Sequence, residues 1–339
     1  MLRIILMFMV CVLHTLGQGG VLAASTAGTT EYSIFWLLEI FSYCAVDGFA
    51  LISGYTAKNG EQKYAKIVDM WFQAFFYAFI VTAVLWMIGI GEFETRTIIK
   101  AAMPVTFGAF WYFTAYFALF FAMPVLNRFL FSVDEADAKK SLILLVVLYS
   151  GLGVLRDPFN SREGYSALWL MVLYCIGVLS KRIGLFDKRK GYTLVFVWGL
   201  CVFVTWADRM FWTDGLLTSY VSPTVLLSAL IMVTLFSRLK LRGIVIRKIA
   251  PLTFGIYLFQ LNTVLWNEVL KGAATPIVGM NLVAGVACVF LMSAGIFASG
   301  LIAELIRAKL ASVIGLPKLS KKIADLTDSL LEKAFIFLN

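Results

Sequence analysis

The sequence predicts an all-α, polytopic membrane protein of about ten transmembrane helices with both termini in the cytoplasm. Three observations carry that expectation. Of 339 residues, 61% are hydrophobic and only 14% charged, where a soluble domain carries about a quarter charged residues. The apolar residues gather into long runs separated by short polar loops, the pattern of helices that satisfy their own backbone in lipid. The cations are also distributed unevenly over those loops. If ten spans alternate, only Arg96, Lys100, Arg156, Arg162, Arg209 and Lys271 fall on one side, and the other 23 of 29 Lys and Arg fall on the side of the termini. The positive-inside rule assigns that side to the cytoplasm.

The runs are expected at 2–21, 33–57, 66–90, 111–131, 141–155, 166–180, 192–212, 220–237, 251–270 and 279–304. The first opens on Arg3, carries His14 and closes on a glycine-rich turn. It also resembles a cleavable signal peptide, with Leu22-Ala23-Ala24-Ser25 as the cleavage site, but a histidine inside the apolar stretch argues against that reading. The second run holds Glu39 and Asp47, and Gly54, one heptad beyond Asp47, is suited to close helix approach. Residues 97–108 are apolar but brief, which suggests an interfacial or re-entrant segment. The fifth and sixth runs are short enough to be bent or buried by their neighbours. Trp111, Trp169, Trp212 and Trp266 lie near the outer ends, where amphipathic rings favour the interface. The chain divides into a membrane domain, 1–306, and a cytoplasmic basic amphipathic tail, 307–339, whose basic and apolar residues alternate at helical spacing for the inner leaflet.

The formal charge of +9 is explained by cytoplasmic loops, so no nucleic-acid partner is expected. Cys11, Cys44, Cys175, Cys201 and Cys288 all lie in apolar runs without metal-ligand spacing and read as core residues; no metal and no bound cofactor is expected.

Ionisable residues inside a membrane are costly, and they mark where chemistry can occur. His14 is the only histidine. It follows Arg3 by eleven positions, which puts both within about 20° of one helical face and roughly 16 Å apart. One face therefore carries a cation at the inner edge and an imidazole, a usual general base, near mid-membrane. Asp47 is expensive unless paired, and either orients the imidazole, binds a hydroxyl or makes an interhelical hydrogen bond. Asp69 follows Lys66 by three residues and reads as its local partner. The same residues would also suit a non-enzymatic carrier or flippase of lipid-linked sugars.

The motifs resemble those of the membrane acyltransferase 3 family, whose members O-acylate sugars of bacterial surface polysaccharides. Arg3 and His14 match its Arg-x10-His hallmark. VDGFALISGY (46–55) resembles its Ser-Gly-Tyr stretch, WYFTAYFALFFAMPVLN (111–127) its Trp–Tyr–Pro segment, LWLMVLYCIGVLSKR (168–182) its Tyr-x-x-Gly span, and TFGIYLFQLN (253–262) its late Phe-Gly-Ile-Tyr-Leu segment. Many members carry a histidine where this chain has Gln260.

The resemblance implies transfer of an acyl group, most often acetyl from acetyl-CoA as co-substrate, to a polysaccharide or lipid-linked glycan in a bacterial cytoplasmic membrane. On that basis His14 is expected to act as base or transient acyl carrier; Asp47 or Glu39, by charge rather than by the resemblance, is expected to orient its ring. Arg3, Ser53, Tyr55, Lys181 and Arg182 are expected to bind the donor, helped by basic loops at 181–190 and 238–248. Glu39, Trp111, Tyr116, Tyr257 and Gln260 are expected to contact the acceptor.

Overall fold

A computed structural model describes residues 1–60, 63–212, 215–239 and 243–338. Every one of the ten apolar runs forms a helix, and no strand occurs among the described residues. In chain order these are α1 (Leu2–Leu16), α2 (Thr30–Tyr55), α3 (Tyr64–Met87), α4 (Trp111–Ser132), α5 (Glu135–Arg156), α6 (Ala167–Arg182), α7 (Gly191–Phe211), α8 (Pro223–Arg238), α9 in two pieces (Ile244–Gln260 and Leu265–Ile277), α10 (Leu282–Val313) and a tail helix, α11 (Leu316–Leu338). The stretch at 97–108 is a short helix, Thr95–Ala102, followed by turns.

The ten helices differ in length. By length and composition seven described helices can cross a membrane, or eight if the two pieces of α9 form one broken span. The two remaining runs, α6 and α8, have 16 residues each. At 1.5 Å per residue they reach ~24 Å, short of a ~30 Å hydrocarbon core. Protein rather than lipid surrounds α6, whose Trp169, Leu170, Leu173 and Ile176 are fully buried against α2, α4 and α5. Trp169 is therefore a core residue, not an interfacial one.

The bundle is built around α1 and α2, the most buried spans; α7 and α10 are mostly exposed. α2 packs on α1, α6, α7 and α8, while α1 also meets α9 and α10. Where α2 crosses α6 the backbones touch. A Cβ on Gly54 would stand 2.1 Å from the Tyr174 carbonyl oxygen, and one on Gly177 would stand 2.5 Å from that of Leu51. Only glycine fits such a crossing. α10 runs unbroken to Val313, and Gly315 (φ +77°) stands between it and the tail helix. The tail helix lies along α3 and α10.

The break in α9 shapes the site. Its two pieces are bent by 76°, and Asn262 sits in the gap. Its Nδ2 donates to the Tyr77 carbonyl (2.7 Å) and to Thr82 Oγ1 (2.8 Å), and its Oδ1 accepts from the Val264 and Leu265 amides (3.0 and 3.2 Å). Tyr77 lies in a π-helical stretch of α3, Phe76–Ile80. One buried amide thus satisfies backbone groups on both sides of the irregularity.

Candidate active site

α1 ends at Leu16, and the chain turns through Gly17-Gln18-Gly19-Gly20. This turn is bonded to the second piece of α9. Gln18 Nε2 donates to the Trp266 carbonyl (3.0 Å), and the Gly272 and Ala274 amides donate to the Gln18 and Gly19 carbonyls. Gly20 has φ +90°, and a Cβ there would meet Thr275 Cγ2 at 2.7 Å. The glycine run is what lets α9 close over the end of α1.

His14 is placed by this closure. Its Nδ1 lies 3.0 Å from Gln260 Oε1, and the Trp266 ring meets its edge at a centroid separation of 4.8 Å, nearly perpendicular. The other end of the Gln260 amide, Nε2, reaches Met7 Sδ at 3.6 Å. A thioether sulfur accepts but cannot donate, so the amide carbonyl faces the imidazole. Nδ1 then carries the proton, and the Nε2 lone pair is left without a protein partner among the described residues. That is the tautomer a general base needs.

A cavity of about 650 Å³ runs along α1. Its walls include both Arg3 and His14, and Ser53, Glu39, Trp111, Tyr116 and Tyr257 of the expected residues. Two wall residues have buried polar atoms with no protein partner among the described residues, Glu39 Oε2 and Tyr112 Oη. Tyr257 Oη accepts the Tyr112 amide at 3.1 Å, tying α9 to the start of α4. At the cavity's other end Arg3 is joined by Lys66, close enough for their charges to interact. Neither cation makes a salt bridge among the described residues. Asp69 lines the same mouth but accepts from Gln73 (3.1 Å), not from Lys66. A membrane cavity with two cations unpaired among the described residues at one end and an imidazole at the other suits an anionic molecule whose reactive end lies far from its charge.

A family model described as an acyltransferase domain matches residues 1–301. The chain belongs to the acyltransferase 3 family. No curated protein and no solved structure matches it. The match covers α1 to α10 nearly whole, so the cavity lies entirely within the membrane acyltransferase domain.

Five expected site residues of the acyltransferase, Asp47, Tyr55, Lys181, Arg182 and Gln260, do not line this cavity. Asp47 is fully buried and does not touch His14; its Oδ1 accepts from Trp169 Nε1 at 3.0 Å. The reason is the face it shares with Gly54, which α2 turns toward α6. Gln260, expected to contact acceptor, is buried and bonded to the imidazole. Arg182 donates from both terminal nitrogens to the Leu130 and Val133 carbonyls at the end of α4, so its charge serves a helix C-terminus. Lys181 Nζ lies over the Tyr55 ring, 5.0 Å from its centroid. In the basic loops, Arg238 is likewise bonded to the Arg189 and Phe186 carbonyls, and Lys240 and Arg242 lie outside the described residues.

Some partners escaped sequence reading. Lys66 entered only as a loop cation and as the expected local partner of Asp69, Trp266 only as an interface ring, and Tyr165, tilted against Trp111 in the cavity wall, and Tyr220, tilted against Tyr165, had no signal at all. A buried ion pair was also missed. Arg307 clasps Glu304 through Nε and a terminal nitrogen (2.8 and 2.7 Å), and Tyr77 Oη donates to the same carboxylate (2.9 Å).

Proposed function

We propose that this membrane acyltransferase transfers an acyl group, acetyl, from acyl-CoA to a hydroxyl of a cell-surface polysaccharide or its lipid-linked sugar precursor. It would do so in a bacterial cytoplasmic membrane, with both termini inside. The observation that carries this reading is one cavity that reaches both Arg3 and His14 along α1. CoA is a polyanion with a long neutral arm ending in the thioester. Its phosphates suit the unpaired cations, and its arm suits the apolar length between them and the imidazole.

The reaction follows from the tautomer. His14 Nε2 takes the proton of the acceptor hydroxyl as its oxygen attacks the thioester carbonyl. Gln260 Oε1 accepts from Nδ1 throughout and keeps the ring from rotating as it becomes cationic. The C–S bond breaks, and the proton on Nε2 passes to the departing thiolate, giving CoA thiol and the ester. Glu39 and the tyrosines fit a polyol, since a carboxylate accepts from hydroxyls and aromatic faces pack on sugar C–H groups.

The test is His14→Ala. Acetate released by mild base from the cell-surface polymer should fall to the level of a strain lacking the gene, while the protein stays in the membrane. Full acetate release with His14→Ala overturns the mechanism.

A further inference from the structure

A second, smaller cavity of about 290 Å³ opens beside the inner mouth of the large one, and Arg3 and Ala250 stand in the walls of both. Its other walls are mainly apolar, from Ile52, Val233, Phe236 and Leu239, with Tyr55 and Ser237 among them. Tyr55 is fixed at both ends: its Oη is 3.2 Å from Ser237 Oγ, and Lys181 covers its ring. A slot with an immobilised aromatic wall and few free polar groups suits a flat heteroaromatic ring. The junction with the large cavity carries Arg3, with Lys66 close by, and neither has a carboxylate partner among the described residues. Asp69 is also at that mouth, but its carboxylate is engaged by Gln73. Two cations without a carboxylate partner among the described residues, between an aromatic slot and a long cavity, suit a phosphate chain that joins a base to an extended arm.

We infer that the small cavity takes the base of the donor's nucleotide, with Arg3 and Lys66 holding its phosphates where the two cavities meet. The arm then turns into the large cavity and leads the thioester toward His14. This inference rests on the acyl-CoA reading above and adds a location for the half of the donor that does not react.

The experiment compares acetyl-CoA with S-acetylpantetheine, the same thioester without a nucleotide, in proteoliposomes containing wild type, Tyr55→Ala or Ser237→Trp. The first variant removes the aromatic wall and the second fills the slot. Wild type should have the lower KM for acetyl-CoA. Each variant should raise that KM at least about fivefold, the effect of losing one base–aromatic stack, with kcat held. Both should use S-acetylpantetheine as well as wild type does, which separates loss of the subsite from loss of the fold. Equal KM for the two donors in wild type overturns the subsite and leaves acyl-CoA as donor. So does an unchanged acetyl-CoA KM in both variants, or an equal loss with both donors. If wild type uses neither thioester, the acyl-CoA reading fails and the subsite with it.

Discussion

Replacing Gln260 by leucine separates an orienting role from an acceptor-binding one. The side chains are close in size, so packing against Met7 is kept while the acceptor 3.0 Å from His14 Nδ1 is lost. Two consequences follow. If Nδ1 keeps its proton, a buried donor is left unsatisfied, at about 1–3 kcal/mol. If the proton moves to Nε2, the lone pair that takes the hydroxyl proton is gone from the cavity side. Either way the ring is less often in the productive state, and the same range converts to a loss in kcat of roughly 5- to 150-fold. Gln260 is buried behind the imidazole, outside the cavity wall, so KM for acetyl-CoA should scarcely move. Acceptor-dependent release of CoA thiol from proteoliposomes measures both parameters. The decisive control is the His14→Ala background, where Gln260→Leu should cost nothing further because the group it orients is absent. A kcat within about twofold of wild type, or an equal loss with and without His14, would refute the reasoning.

Three further outcomes follow from the same contacts. Asp47→Asn keeps an oxygen to accept from Trp169 Nε1, so activity should stay within about threefold of wild type; a collapse of kcat measured by thiol release would return Asp47 to the chemistry. Arg182→Ala uncaps the Leu130 and Val133 carbonyls and should lower the thermal inactivation temperature of the detergent-solubilised protein with unchanged KM for acetyl-CoA, whereas a raised KM would make it a donor ligand after all. Gly54→Val forces a side chain toward the Tyr174 carbonyl and should destabilise by about 1–3 kcal/mol or more, read as reduced yield of folded protein in membranes; normal yield would mean that α2 and α6 separate easily.

What the sequence determined on its own is the part governed by periodicity within one element. Apolar runs define the helices, because a backbone in lipid must bond to itself. An offset of eleven positions puts Arg3 and His14 along one face, because 3.6 residues make a turn, and one cavity reaches both. Gly54 was legible as a close contact because a missing Cβ in a helix has few other uses there. The tertiary structure alone decided which residue meets which across the bundle. Gln260 reaches His14 over 246 positions, and it does so only because α9 bends by 76° at Asn262 and because glycines let the end of α1 lie beneath Trp266. Asp47, by charge and depth the natural partner for an imidazole, is turned instead toward Trp169 by the rotation of α2 that its own glycine contact with α6 demands. Spacing fixes where a residue lies on its helix; the rotation of that helix is set by every neighbour packed against it. For that reason Arg3 and His14 could be read from one stretch of chain, and the group that holds the imidazole could not.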